Sequence, residues 1–347
     1  MIYVTGDCHQ DFSKFSMKNF PDQKSLTKDD FVIICGDFGG IFSTDATLRS
    51  ENHILDELDA RSFTTLFVDG NHENFDRLNS YPIEEWNGGN IHKIRDSVIH
   101  LMRGQVFNID GYTFFTFGGA RSHDISGGIL ELNDPLYHEK KKQLDRDWEP
   151  YRINHLSWWK EELPTQEEMD EGIKNLESVN YTVDFVISHC APSSVQDLLE
   201  NERHRLFKHD VLTDYLETIR QKLSYKKWYF GHYHDNKNLT EKDNLLYKQI
   251  IKLGDNVPAS TLGSPRYLIG DLVKFNIDDE TIEGRISIID AYGTYEQQDE
   301  PSYDILVRGK DGTKCLYKHV RESIISFLFL YCILFFSLFL ISYLFYK

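Results

Sequence analysis

The chain opens with the residues MIYVTGDCH (1–9), in which a short apolar run leads directly into a glycine and polar side chains. A similar transition occurs in FVIICGDFGG (31–40), TLFVDGNHE (65–73), VDFVISHCAP (183–192) and KWYFGHYHD (227–235). Each apolar run has the length and the β-branched and aromatic content of a buried strand. Where a glycine follows, it lets the backbone turn sharply away from the strand. The pattern therefore predicts strands that end in polar clusters.

Helical patterns separate these runs at residues 49–61, 136–147, 165–178 and 210–223. Two more strands are predicted at 98–101 and 112–118. Strands joined by helices indicate a layered α/β domain, which we place at residues 1–255. In an open α/β sheet the carboxyl ends of the strands share one edge, where ligand sites usually lie. We therefore expect the five polar clusters to converge in space.

The five clusters contain seven candidate metal ligands with oxygen or nitrogen donor atoms. They are Asp7, His9, Asp37, Asn71, His189, His232 and His234. Such ligands suit Mn²⁺, Fe²⁺, Zn²⁺, Co²⁺ or Ni²⁺, and a set that needs no thiolate argues against a structural zinc site. Seven ligands are too many for one open catalytic ion, but they suffice for two ions that share a carboxylate.

Taken in order, the clusters resemble the motif set of the calcineurin-like metallophosphoesterase superfamily, which is GDxH, GDxxG, GNH(D/E), a later H and GHxH. Here the motifs read GDCH, GDFGG, GNHE, SHCAP and GHYH. The resemblance extends from residue 1 to about residue 253. It implies a four-layer αββα sandwich as the fold.

The resemblance also implies a role for each motif residue. The two ions would be held by Asp7, His9 and His234 on one side and by Asn71, His189 and His232 on the other, with Asp37 bridging them. His72 would be the catalytic residue, because it would lie over the phosphate and donate a proton to the leaving oxygen or stabilise it. Glu73 would orient either His72 or a ligand.

The implied function is that of a dinuclear metal-dependent phosphoric ester hydrolase, either a phosphatase or a small phosphodiesterase, in which a metal-bridging hydroxide attacks phosphorus. Mn²⁺ is the favoured metal, and Fe, Zn, Ni and Co are the alternatives. The substrate would be a phosphorylated small molecule, a nucleotide or a phosphoprotein. A non-catalytic scaffold on the same fold and a nuclease of the same superfamily are the alternative functions. The intact ligand set and His72 argue against the scaffold.

The overall charge is acidic, with 38 basic and 55 acidic residues and a net charge of −17. A nucleic-acid partner is disfavoured because nonspecific binding to nucleic acid needs a basic surface. Five widely spaced cysteines predict unlinked thiols in a reducing compartment. We therefore expect a cytoplasmic catalytic domain.

Two further side chains and one segment are candidates for substrate contact. Arg121 would clamp a second phosphate or a nucleotide, and its alternative is a surface salt bridge. Asp235 would support a ligand, and its alternative is a solvated turn residue. The polar and aromatic segment 121–180 interrupts the rhythm of strands, so it is a candidate cap insertion over the main site.

Two compositional units come after the α/β domain. Residues 266–322 contain several β-like runs separated by turn residues, which predicts a small all-β, barrel-like domain whose protein partner is unknown. Residues 324–346 are 23 consecutive residues without a charged side chain. A helix of that length spans roughly 34 Å, enough to cross a bilayer. We therefore expect either a membrane anchor or a hydrophobic extension of an otherwise soluble protein.

Overall fold

The computed structural model describes residues 1–43, 48–147, 149–203, 208–258, 265–277, 280–290, 299–309 and 314–327. The chain divides into two compact units, Met1–Ser260 and Thr261–Lys347. The first unit holds all five polar clusters, and the second holds the residues of the predicted small β domain.

The described part of the first unit contains fifteen strands that form two large sheets and one small one. The strands are Ile2–Thr5 (β1), Phe31–Ile34 (β2), Thr64–Phe67 (β3), Ile83–Trp86 (β4), Gly89–Arg95 (β5), Val98–Leu101 (β6), Gln105–Ile109 (β7), Tyr112–Phe117 (β8), Ile129–Leu130 (β9), Arg152–Ile153 (β10), Phe185–Ser188 (β11), Lys227–Phe230 (β12), Lys237–Asn238 (β13), Asp243–Leu245 (β14) and Ile250–Lys252 (β15). The first sheet has the order β15-β1-β2-β3-β6-β5-β4, and the second has the order β13-β14-β12-β11-β8-β7. Strands β9 and β10 pair with each other.

The helices of this unit occur mainly between the strands. They are Leu48–Asp59 (α1), Phe75–Leu78 (α2), Tyr137–Asp147 (α3), Gln166–Ser178 (α4), Ser193–Arg203 (α5) and Val211–Arg220 (α6). Two of them begin with a capping box, in which the side chains of the N-cap residue and of the third helical residue each bond to the backbone of the other. Thr165 caps α4 in this way, and Asp210 caps α6.

One hydrophobic cluster is shared by both large sheets. Ile33 of β2 and Ile187 of β11 belong to it, so one face of each sheet packs against the other. Because side chains alternate along a strand, Ile34 points to the opposite face and packs with Leu55 of α1. On the second sheet, the cluster around Leu216 of α6 covers the outer face. The unit is therefore a mixed α/β structure with several sheets, which confirms the α/β prediction.

The strands that lead into the polar clusters run parallel to their neighbours within each sheet. Strands β1, β2 and β3 are parallel in the first sheet, and β8, β11 and β12 are parallel in the second. Parallel neighbours have their carboxyl ends at the same edge of a sheet. The five polar clusters thus leave the two sheets at corresponding edges.

The predicted cap segment 121–180 contains several elements of secondary structure. Its first part contains β9, α3 and β10, as well as a short 3₁₀ helix at Lys160–Glu162. Its last part is α4, whose Met169 and Leu176 are buried in the cluster that covers the second sheet. α4 therefore packs as a helix of the main fold. The predicted covering role stays with residues 121–165, which precede α4 and are called the covering segment below.

The second unit contains five strands within its described residues. They are Leu272–Ile277 (β16), Glu280–Asp290 (β17), Ser302–Arg308 (β18), Lys314–Arg321 (β19) and Ile325–Phe327 (β20). They form an antiparallel sheet in the order β19-β18-β17-β16-β20, with Val273, Ile286 and Tyr303 in its core. An extra β domain is therefore present. Among the described residues no strand pairing joins β19 to β20, so the sheet is not closed as a barrel there.

The candidate membrane span 324–346 falls mostly outside the described residues, which end at Phe327. Ile325–Phe327 pairs with β16, so the first residues of the predicted span belong to the β domain instead. Within the described part of the chain, no helix combines the length and apolar character needed to cross a membrane.

The cysteines described in both units are free thiols. Cys8, Cys35 and Cys190 are buried, and Cys315 is exposed. The fifth cysteine, Cys332, lies outside the described residues.

Candidate metal centre

Six of the seven predicted ligands meet in two groups that share Asp37. The first group contains Asp7, His9, Asp37 and His234, and the second contains Asp37, His189 and His232. Within each group, the potential ligand atoms all lie within 4.8 Å of one another. These side chains follow the ends of β1, β2, β11 and β12. They meet because those strand ends lie at corresponding edges of the two packed sheets.

The distances between potential ligand atoms show that the side chains of each group point toward a common centre. Nε2 of His9 lies 3.0 Å from Nε2 of His234 and 3.5 Å from Oδ2 of Asp37. Nε2 of His234 lies 3.2 Å from Oδ2 of Asp7. In the second group, Nε2 of His189 lies 3.2 Å from Oδ1 of Asp37.

Hydrogen bonds with backbone groups orient three of the predicted ligands, His189, Asp7 and Asp37. Nδ1 of His189 lies 2.8 Å from the carbonyl oxygen of Cys35, and donation of its proton there leaves Nε2 free to bind a metal. The backbone N–H of His232 donates to Oδ1 of Asp7, at 3.0 Å. The backbone N–H of His72 donates to Oδ1 of Asp37, at 2.9 Å. In these three cases the backbone of one motif, or of the strand before it, orients a ligand of another motif.

Asn71, the seventh predicted ligand, is buried at the end of the loop that follows β3. Its Nδ2 donates to Oγ of Ser122 over 3.4 Å. That contact fixes the orientation of the amide, so Oδ1 is the atom left to bind a metal. Ser122 in turn donates to Oε2 of Glu162, at 2.6 Å, and Glu162 is itself buried. The covering segment thereby positions a ligand.

Three buried atoms of the site test whether it fits metal ions. Oδ2 of Asp7, Oδ1 of Asn71 and Nε2 of His189 make no hydrogen bond of regular geometry among the described residues, and the close neighbours of Oδ2 of Asp7 and Nε2 of His189, at 3.2 Å, are other predicted ligands. Leaving a buried polar atom unsatisfied costs about 1–3 kcal/mol, and all three atoms belong to predicted ligands. A divalent cation satisfies oxygen and imidazole atoms of this kind. The side chains present therefore fit a metal centre.

The backbone is strained at four ligand positions. The φ angles of His9, Asp37, His232 and His234 are 48°, 44°, 68° and 50°. Non-glycine residues in this left-handed region cost on the order of 1 kcal/mol each, and they concentrate at functional sites. The backbone conformation that orients these side chains therefore lowers the stability of the fold.

The site carries two buried carboxylates and several neutral imidazoles. Burial acts to raise the pKa of Asp7 and Asp37, but the neighbouring histidines outweigh burial and hold both values well below the usual range. Burial lowers the pKa of His232 and His234. His189 differs, because Asp37 and Asp7 overcome burial and raise its pKa to about 9. A metal ion at His189 would therefore displace a proton.

His72 lies beside the first group of ligands. Its ring centroid is 4.7 Å from that of His9 and 6.3 Å from that of Phe42. Burial lowers the pKa of His72 to about 3, against the opposing charge of Asp37. A phosphate dianion next to the ring would favour the protonated form. His72 is thus placed to exchange a proton with a bound anion.

Glu73 holds the loop that carries Asp37. Its carboxylate accepts the backbone N–H groups of Phe38, at 2.8 Å, and Gly39. Burial, Asp37 and a second nearby carboxylate raise the pKa of Glu73 well above its usual value. Glu73 therefore holds the two residues that follow Asp37 in the chain.

The other two predicted contact residues, Arg121 and Asp235, interact with groups outside the two ligand groups. Arg121 is half-buried, and its charge acts on Asp210, the capping residue of α6. Asp235 accepts the backbone N–H of Asn236, at 2.8 Å, as a turn residue does. Asp235 therefore belongs to the local structure of its own loop, whereas Arg121 acts on a helix that is distant in the sequence.

Two supporting features escaped sequence reasoning. Nζ of Lys14 is buried and donates to the carbonyl oxygens of Gly6, Asp7 and Tyr247 at 2.7–2.9 Å, directly behind the ligand Asp7. Nothing in its sequence neighbourhood distinguishes it from a surface lysine. Arg152 pairs with Asp124, with Nη2 2.7 Å from Oδ2, and both charges act on His72. Only the folded covering segment brings them there.

Comparison with known proteins agrees with this geometry. The family model for calcineurin-like phosphoesterase matches residues 1–236, which is about two-thirds of the chain. The chain therefore belongs to the calcineurin-like phosphoesterase family. No curated protein and no solved structure matches it significantly.

Proposed function

We propose that the first unit hydrolyses phosphoric esters with the help of two divalent cations. The observation that carries the proposal is the pair of ligand groups that share Asp37. The unsatisfied ligand atoms of Asp7, Asn71 and His189 support it. The family implies a four-layer αββα sandwich, and the core shared by the two sheets supports that architecture as well.

In this hydrolysis each residue of the site would have a distinct role. Two bound cations would supply Lewis-acid polarisation of a phosphoryl oxygen and a nucleophilic hydroxide from water. Asp37 would contribute to both cation sites, and Glu73 would keep its loop in place. His72 would hold a proton near the ester oxygen and give it to the departing group. The backbone N–H groups of His72 and His232 would hold the carboxylates of Asp37 and Asp7 in place.

The acidic charge of the chain, −17, supports a small phosphoester rather than a nucleic acid as substrate. A phosphorylated small molecule, a nucleotide or a phosphoprotein would meet this condition, for a phosphatase or a small phosphodiesterase. Manganese is the metal we favour, with Fe, Zn, Ni or Co as alternatives. The buried free thiols support a reducing, cytoplasmic setting.

The test is hydrolysis of p-nitrophenyl phosphate and bis-p-nitrophenyl phosphate by the metal-stripped full-length chain. Mn²⁺, Ni²⁺, Zn²⁺ and Mg²⁺ are added back singly. Turnover should depend on metal and fall at least about 100-fold in Asp37→Ala and His72→Ala. The exposed controls Asp96→Ala and His53→Ala should keep wild-type rates.

The same experiment separates the enzyme from a scaffold. Two ions bound per chain without turnover of either ester would contradict the hydrolase and favour a non-catalytic scaffold. Equal turnover in the Asp37→Ala chain would contradict the assignment of the site.

A further inference from the structure

A cavity of about 410 Å³ opens beside the metal centre. The loop after β2, the first turns of α1 and Leu156 of the covering segment line it. Binding sites for small molecules have volumes of roughly 300–1,000 Å³. The cavity is therefore large enough for part of a substrate.

Three lining residues relate the cavity to the predicted site. Gln10 and Gly39 line it, and they come shortly after the ligands His9 and Asp37 in the sequence. The ring of Phe42 forms another wall, and its centroid is 6.3 Å from that of His72. Phe42 therefore borders both the cavity and the ring of His72, so the cavity is a neighbour of the predicted catalytic histidine.

The lining is mostly apolar. Phe12, Phe42, Ile54 and Leu156 contribute aromatic and aliphatic surface. The neutral polar side chains are those of Gln10, Ser43 and Ser50. Such a lining favours a ring or another apolar group that carries a few hydrogen-bonding atoms.

The one charged side chain among the described lining residues is already engaged. Oε2 of Glu51 accepts the backbone N–H groups of Phe42 and Ser43, at 2.9 and 2.6 Å, and Oε1 pairs with Arg77. No Lys or Arg occurs among the lining residues that the structure describes. A second phosphate would therefore find no cationic partner within this described lining.

We propose that the cavity binds the leaving group of the substrate, and that this group is an uncharged alcohol with an apolar ring. The proposal rests on the proposed function. In the hydrolysis, a P–O bond forms from water and the P–O bond to the alcohol breaks. The ester oxygen takes a proton from His72 and departs as the neutral alcohol, which the cavity holds.

The test compares benzyl phosphate with ethyl phosphate in the full-length chain. Both release primary alkoxides of similar basicity, so their intrinsic reactivity is close and the ring is the main difference. We expect kcat/KM for benzyl phosphate to be at least about 10-fold higher, mainly through KM, because the ring is removed from water in the cavity.

Two variants alter the cavity without touching a metal ligand. Ser50→Trp fills it from α1, and Leu156→Ala removes an apolar wall. Both should bring the benzyl-to-ethyl preference to within about 3-fold. The matched controls are Arg49→Trp, which places the same ring one residue away on α1, and Leu132→Ala, which alters a 58% exposed leucine outside the cavity. Both controls should keep the wild-type preference.

Binding of benzyl alcohol to the metal-stripped chain, detected by saturation-transfer NMR, provides a readout without catalysis. It should be present in wild type and Arg49→Trp and lost in Ser50→Trp. Turnover of both esters without preference, unchanged by Ser50→Trp, would overturn the cavity proposal and leave the hydrolase standing. Binding of benzyl alcohol without turnover of either ester would support the cavity and overturn the hydrolase. Neither binding nor turnover would overturn both.

Discussion

Gly231 packs against the carboxylate of Asp7 so closely that a Cβ atom at Gly231 would lie 2.1 Å from Oδ1. The same pattern occurs at Gly70, where a Cβ atom would lie 2.1 Å from Oδ1 of Asp37. In each case the glycine of one motif makes room for the acidic ligand of another. The glycines that precede the ligands are therefore part of the site as well as of the turns.

Gly231→Ala should weaken metal binding at least about 10-fold, because the added methyl group must displace Asp7 or the carbonyl of Cys35, 2.7 Å away. Isothermal titration with Mn²⁺ measures the change. The control is Gly111→Ala, which has open space around its Cβ and keeps only the penalty of its positive φ. It should lose on the order of 1 kcal/mol of stability and no metal affinity. Equal affinity in both variants would show that the close contact is not needed.

Arg103→Met should lower the free energy of unfolding of the first unit by about 3–5 kcal/mol, as expected when a buried ion pair loses one partner. Arg103 and Asp69 are both buried, and Nη2 of Arg103 lies 2.5 Å from Oδ2 of Asp69. Denaturant unfolding followed by tryptophan fluorescence measures the loss. The control Lys93→Met breaks an exposed pair with Asp96 and should leave stability unchanged. A loss below about 1 kcal/mol for Arg103→Met would contradict a structural role for the buried pair.

The β domain should lose stability as the pH falls below the usual pKa of a glutamate. Burial acts to raise the pKa of Glu322, but hydrogen bonds from Tyr303 and Arg266 outweigh burial and lower it. A carboxyl whose pKa is lower in the folded state stabilises that state above its unfolded pKa, and the contribution is lost as pH falls through the folded pKa. Hydrogen exchange in β18 should therefore show several-fold weaker protection in acid, after correction for the intrinsic exchange rate at each pH.

Glu322→Gln should remove this pH dependence, because the neutral amide no longer titrates. The exposed control Glu283→Gln should retain it. An identical acid response in wild type and Glu322→Gln would assign the effect to other groups.

The hydrophobic segment beyond the described residues leads to a prediction about extraction. If it spans a membrane, the full-length chain should sediment with membranes and resist high salt, whereas a chain ending at Phe327 should stay soluble. The shortened chain ends after β20, because that strand pairs with β16 in the sheet. Equal solubility of the two chains would contradict the membrane anchor.

Much of the site was predictable because its signals are local. Each strand end is marked by an apolar run followed by a motif, so β1, β2, β3, β11 and β12 coincide with the predicted apolar runs or overlap them. Parallel strand ends then bring the motifs together whatever the details of the loops.

The supporting residues were less predictable because they act through tertiary contacts. Ser122 and Glu162 are 40 residues apart in the sequence and meet only in the folded covering segment. The buried Lys14 depends on carbonyl oxygens of a distant loop, including that of Tyr247. Arg152, whose charge acts on His72, was not predicted, because only the pairing of β9 with β10 brings it there.

Short or polar elements were also missed. Ser193–Arg203 has a mixed composition that did not stand out as helical, although Val195 and Leu199 are fully buried. The strand Ile325–Phe327 was assigned to the hydrophobic tail, because its composition matches that of residues 328–346. Composition alone cannot distinguish an edge strand from the start of an apolar segment.

The most direct test of the central claim is the metal content of the full-length chain, measured by mass spectrometry after loading with Mn²⁺ and removal of free metal. The two ligand groups that share Asp37 predict two ions per chain in wild type and in the exposed control His53→Ala. His232→Ala and His234→Ala should each retain about one ion, and Asp37→Ala should retain at most one. A wild-type chain that binds fewer than two ions, or an Asp37→Ala chain that keeps both, would contradict the shared dinuclear centre.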